Sequence, residues 1–167
     1  MGLRIGARVP SLEFEAYVPT EGERWRTSLA ELRGSWVVLF FYPREAVSEL
    51  SALARLYPQF EAEDAIVLAA STHSFESFEP SFEAHASLAG VFYPIVEDTA
   101  RELSDAFGTL TGDGAALHGT FVIDPDSVVR QASVTAEAAG RSPDETLRIL
   151  RTLRAASSAV PSAQAPA

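Results

Sequence analysis

The chain has 167 residues, 47% of them hydrophobic, a formal net charge of −10 and no cysteine. That length suits one domain with a full core, and the charge repels a phosphate backbone from most of the surface. The missing thiols exclude disulfides, thiolate metal ligands and attack by a protein thiolate.

The opening stretch MGLRIGARVPSLEF lacks the apolar centre of a signal peptide, and Gly6 breaks the myristoylation pattern. No apolar run approaches the ~18 residues of a membrane span. A cytoplasmic protein with no membrane contact is therefore expected. SLEFEAYV (11–18) reads as an edge strand. In TSLAELRG, Ser28 stands three residues before Glu31 at capping-box spacing, and Gly34 marks a stop. Trp36 to Tyr42 is a continuous apolar run, the pattern of a strand buried on both faces. Residues 45–62 place Val47, Leu50, Leu53 or Ala54, and Tyr57 at helical spacing, with Pro58 as a break or kink. AIVLAAS (65–71) is a second buried strand. SFESFEPSFEAHASLAG (74–90) is helical in part, with Pro80 near its start and Gly90 at its stop. VFYPIVED holds a short strand broken by Pro94. TARELSDAFG (99–108) reads as a helix with Thr99 as N-cap and Gly108 as stop. TLTGDGAALHG is a loop, and its glycines lack the Lys-Ser/Thr and the helix start of a phosphate loop. GTFVID (119–124) and SVVRQASV (127–134) form a hairpin through Pro125-Asp126. Ser142, Pro143 and Glu145 open a last helix that runs to about residue 154. Its arginines alternate with Asp144 and Glu145, a solvated face rather than a nucleic-acid patch. The tail AASSAVPSAQAPA (155–167) is too small and too poor in large apolar residues to pack, so disorder or loose packing is expected. Residues 1–154 are thus expected to form one α/β domain, a central mixed sheet flanked by helices, and a thioredoxin-like fold fits this order.

Several of these segments together resemble peroxiredoxins of the alkyl hydroperoxide reductase/thiol-specific antioxidant family. They are GARVPSLEFEAY, TSLAELRGSWVVLFFYPRE, IVLAASTHSFESF, YPIVEDTARELSDAFG, HGTFVIDPDSVVRQASV and GRSPDETLRILRTL. They keep the family's order over most of the chain. The resemblance implies an antioxidant oxidoreductase by ancestry and a Pro-x-x-x-Thr/Ser-x-x-Cys turn as its working part. In that turn a cysteine in the first turn of a helix has its pKa lowered by backbone N–H groups and the helix dipole. The Thr or Ser hydroxyl orients the peroxide, and an arginine from a later strand stabilises the developing charge. On this chain Pro43 keeps its place. The hydroxyl position is Val47, the cysteine position Leu50 and the arginine position His118, and the carboxylate three residues on is Leu53. Ser48 and Ser51 flank the site, but a serine has no sulfenic state.

Two apolar replacements at Val47 and Leu50 read as conversion of a polar pocket into an apolar one. The residues that would line it are Tyr42, Pro43, Arg44, Val47, Leu50, His73 and His118. His118 is either an acid/base or ligand-binding group or a half-exposed drifted position, with the second favoured. His73 follows a strand end, where ligands of open α/β sheets bind, although a loop surface histidine is the commoner reading. His85 should be solvated. His73, His85 and His118 lack the short-range spacing of a metal site, so no metal and no cofactor is expected. Asp98 is a capping or loop residue by resemblance. The leading functional expectation is a peroxiredoxin-family protein that has lost thiol peroxidase activity and acts as a binding or regulatory pseudoenzyme. It is expected to be a homodimer that takes a small apolar ligand or a protein partner, and no nucleic acid. The alternatives are a repurposed enzyme using His118 on a non-peroxide substrate, and a subunit of a heteromeric complex.

Overall fold

In the computed structural model the described residues are 2–43, 47–136 and 142–159. The elements in chain order are β1 (Glu13–Tyr17), β2 (Arg24–Ser28), β3 (Trp36–Phe41), α1 (Val47–Ala62), β4 (Ala65–Ser71), α2 (Phe75–Ala84), β5 (Ile95–Glu97), α3 (Glu102–Phe107), β6 (His118–Ile123), β7 (Val129–Thr135) and α4 (Pro143–Ala159). They form a seven-stranded mixed sheet in the order β2-β1-β5-β4-β3-β6-β7. β3 runs parallel to β4, and β4 parallel to β5. The other pairs are antiparallel.

The apolar run WVVLFF becomes the central strand because both of its faces are covered, and every residue of β3 is buried. Alternation then sends its side chains to two cores. Trp36, Val38, Phe40 and Tyr42 join one core with Leu50, Leu53 and Phe60 of α1 and Leu147 and Leu150 of α4. Val37, Leu39 and Phe41 join the other with Leu103 and Phe107 of α3 and with Val9 and Leu29. On the first face, α1 and α4 are also tied by charge. Glu63 accepts from Arg151 at 3.1 Å and from Arg154 at 2.9 Å.

Several local expectations need correction. The first strand is not an edge, because β2 covers it, pairing Glu15 with Arg26 and Ala16 with Trp25. The segment RWRTS has no apolar alternation to announce a strand and forms one by pairing with β1. Pro58 lies inside α1 and does not end it. Pro80 likewise lies within α2 rather than near its start, and that helix stops at Ala84, followed by a short 3-10 turn at Ala86–Leu88. Thr99 does not cap α3. The buried Asp98 does so, accepting from the N–H of Leu103 at 3.0 Å, the N–H of Ser104 at 2.7 Å and the Ser104 hydroxyl at 2.6 Å. A carboxylate with two acceptor oxygens satisfies more orphan donors than one threonine hydroxyl. The helix then starts late, with Arg101 at a left-handed φ of 62° as the turn into it. Gly108 ends it in the left-handed conformation expected of a stop. Ser142 opens α4, its hydroxyl accepting from Glu145 N at 3.3 Å. That helix continues through Ala159, past the expected stop and into the stretch read as a loose tail. The alanines of AASSA favour this extension. The rest of the tail lies outside the described residues. Among those residues, no helix is long and apolar enough to cross a membrane.

Candidate functional site

The site forms where the C-terminal end of β3 meets the start of β6. Pairing of Phe41 with Gly119 sets Tyr42 beside His118, and their rings stand perpendicular at 6.4 Å. On the other face of β6, the packing of Thr109 and Phe121 over the strand requires Gly119. A Cβ there would meet the Thr109 Cγ2 atom at 2.7 Å and the Phe121 Cε2 atom at 3.2 Å. Across the β6–β7 ladder, His118 lies opposite Thr135 and Thr120 opposite Ser133. The two-residue period puts these four side chains on one face of the hairpin.

With Tyr42 and Glu49 they line a small, partly open cavity of about 30 Å³. That is room for one or two water molecules and no organic ligand. Glu49 comes from the first turn of α1. Its charge adds to burial in pushing the Tyr42 phenol above its ordinary range, burial being the larger cause. Tyr42 also stacks on Phe40 at 6.0 Å, and its N–H donates to Ala70 O at 3.0 Å.

Leu50 is elsewhere. It is 2% exposed and belongs to the core between the sheet and α1, with Leu53 at 0%. It is not among the residues that line the cavity. Its carbonyl oxygen accepts the Tyr93 hydroxyl at 2.7 Å. The first turn of α1 is thereby tied to the segment ahead of β5. Pro43 is half-buried at the end of β3. Arg44 lies outside the described residues, and Val47 is described by its backbone alone as the start of α1.

His73 does not reach this cavity. It is half-buried in the turn after β4, and its backbone N–H donates to the Ser71 hydroxyl at 3.1 Å. His85 is exposed between α2 and the 3-10 turn. Among the described residues, no group of three or more His, Cys, Asp or Glu could hold a metal ion. The structure thus joins Tyr42 and His118 of the expected set and adds Glu49, Thr120, Ser133 and Thr135. The polar positions 118, 120, 133 and 135 repeat at the strand period, and that was the available signal for three of the four additions. Glu49 gave none, because an acidic residue in a first helical turn is ordinary.

The chemistry open to this set is proton transfer and hydrogen bonding. Imidazole, carboxylate, phenol and hydroxyl groups are present, and none has an accessible sulfenic state. The only sulfur in the sequence is that of Met1.

Comparisons with known proteins agree with this fold. The family model described as AhpC/TSA family matches residues 5–132. Alkyl hydroperoxide reductase C of Mycolicibacterium smegmatis is 37% identical over 134 residues, covering 77% of this chain and 68% of that protein. Peroxiredoxin prdx-2 of Caenorhabditis elegans is 35% identical over 152 residues, covering 85% and 75% respectively. Among solved structures, Mycobacterium tuberculosis AhpC superposes with a TM-score of 0.81 at 30% identity, covering 96% of this chain and 97% of that one. Enterococcus faecalis AhpC reaches 0.86 at 23% identity over 95% and 96%, a likeness of fold. With its thioredoxin-like mixed sheet and a family match that spans most of its length, this cysteine-free chain belongs to the AhpC/TSA family of peroxiredoxins.

Proposed function

We propose that this chain is a peroxiredoxin-family protein without thiol peroxidase activity, and that it works by binding. The observation that carries the proposal is Leu50. At the position where the family's turn holds its cysteine, this chain has a side chain that is 2% exposed and part of the core. Peroxide reduction by this route needs a thiolate that becomes a sulfenic acid, and the sequence contains none. The test is hydrogen peroxide consumption with dithiothreitol or thioredoxin as reductant. No turnover above the protein-free rate is expected, and protein-dependent turnover would overturn the reading.

The cavity of about 30 Å³ favours a protein partner over a small apolar ligand. A second copy of the chain is one such partner. The sheet has two edges, and they differ. On β2, Arg24 pairs with Glu76 and Glu97, and Arg26 pairs with Glu13, so charge guards that edge. On β7 the stretch Ala132 to Thr135 carries no charge, and Val134 is 39% exposed. Uncharged edges invite strand pairing, which supports a homodimer through β7. We also propose a cytoplasmic location, which cell fractionation tests.

A second reading is an enzyme of changed chemistry, with His118 as acid or base. What favours it is that His118 and Glu49 both line one cavity. A substrate would have to be water-sized or enter through a rearranged turn. Replacement of His118 by Ala with no effect on any ligand binding or activity would remove this reading.

A further inference from the structure

Between α2, the loop after β1 and the 3-10 turn, the surface opens into a groove of about 250 Å³. Its floor is apolar. Phe75 and Phe82, two turns apart on α2, pack against the core that contains Leu88, which is 1% exposed. Pro19 and Thr20, from the loop after β1, form the opposite wall. Glu79 and Glu83 line the same space and are exposed. Phe75, Glu79, Phe82 and Glu83 sit at i, i+4, i+7 and i+8, so helical geometry presents them on one face.

The charges here are uneven. One turn earlier, Glu76 is held by Arg24 at 2.6 Å, and Arg24 also reaches Glu97 at 3.2 Å. Its guanidinium lies over the Phe75 ring, 5.2 Å from the centroid. That cation is committed. Glu79 and Glu83 have no ion pair among the described residues. The groove therefore joins an apolar floor to two uncompensated carboxylates. Its volume falls below the roughly 300–1,000 Å³ of small-molecule sites and suits a long side chain or two. Lysine and arginine bury their stems on apolar surface and keep the charge at a polar rim.

We propose that this groove docks a protein partner through a basic amphipathic segment. An apolar side chain of that segment rests on Phe75 and Phe82, and its Lys or Arg residues meet Glu79 and Glu83. The net charge of −10 speeds the encounter with any basic partner, and the groove confers the selectivity. The proposal rests on the reading of the chain as a binding protein. Its test is independent of the peroxide assay, so either can fail alone.

The probe is a fluorescein-labelled amphipathic peptide of leucine and lysine, with its Lys→Glu counterpart as control. Binding is followed by fluorescence polarisation and by amide NMR shifts of the full chain. The Leu/Lys peptide is expected to bind and to shift Thr20, Phe75, Glu79, Phe82 and Leu88. The double variant E79K/E83K should weaken it by about tenfold or more. E61K/E102K makes the same change in net charge outside the groove and should weaken it much less. Equal weakening by the two double variants would mean general attraction to an acidic surface and would overturn the proposal. So would equal binding of the Leu/Glu peptide, or shifts elsewhere on the molecule. A change in oligomeric state caused by E79K/E83K would assign the groove to a second copy of the chain and would also overturn it.

Discussion

Leu50, in the first turn of α1, is a structural residue of the core. In a helix that follows a strand turn, the side chain in the first turn faces the sheet if its spacing matches the helix's apolar stripe. Here Leu50, Leu53 and Phe60 share that stripe, and all three are buried. Truncation should therefore read as a packing loss. Leu50→Ala is expected to destabilise the fold by about 2–5 kcal/mol, measured as a lower urea midpoint. A cost under about 1 kcal/mol would mean that the side chain faces open space. The neighbouring polar set behaves differently, since His118, Thr120, Ser133 and Thr135 meet only because two strands pair in one register.

At the scale of elements, two features have measurable consequences. The Asp98 carboxylate gathers three donors at the start of α3. Its replacement by alanine leaves those buried N–H groups without an acceptor. Asp98→Ala should cost about 1–3 kcal/mol, and amide exchange should quicken first across Glu102–Phe107. Exchange that quickens evenly over the whole chain would place the effect elsewhere. The second feature is the uncharged stretch of β7. Val134→Lys puts a charge on an exposed edge position and should convert a dimer to a monomer in light scattering. A dimer that survives the change would locate the interface on another surface.

The whole molecule carries its tyrosines in an unusual state. Tyr17, Tyr42 and Tyr93 are all buried. Burial is the main cause that raises each phenol above its ordinary range, helped by Glu97 at Tyr17, Glu49 at Tyr42 and Tyr42 at Tyr93. The Tyr17 hydroxyl is a buried side-chain oxygen without a hydrogen-bond partner among the described residues. A group whose pKa is raised by folding keeps its proton longer in the folded state. The unfolded chain loses that proton from about pH 10 upward, so stability is intact below that pH and falls as pH rises through it. The urea midpoint should drop steeply above about pH 10, and tyrosinate absorbance for these three should appear together with unfolding. Tyrosinate absorbance that grows before the fold is lost by more than the half-buried Tyr57 alone supplies, as read in a Tyr57→Phe variant, would show that one of the three ionises in the native state.

The amino-acid sequence determined the things that depend on neighbours along the chain. Apolar runs fixed the inner strands β3 and β4, and the helical stripe of α1 followed from its spacing. Composition alone removed thiol chemistry, because a residue that is absent cannot be supplied by folding. Tertiary structure decided what depends on neighbours across the chain. RWRTS became a strand because β1 offered it a ladder. Asp98 won the cap from Thr99 because its carboxylate could reach three donors at once. The expected pocket resolved into two places for the same reason. Leu50 turned into the core between α1 and the sheet, while Glu49, one residue away on the helix, joined His118 at a cavity that holds little more than water. A helix separates adjacent side chains by about 100°, and only the packed sheet determines which of them meets an imidazole and which meets the core.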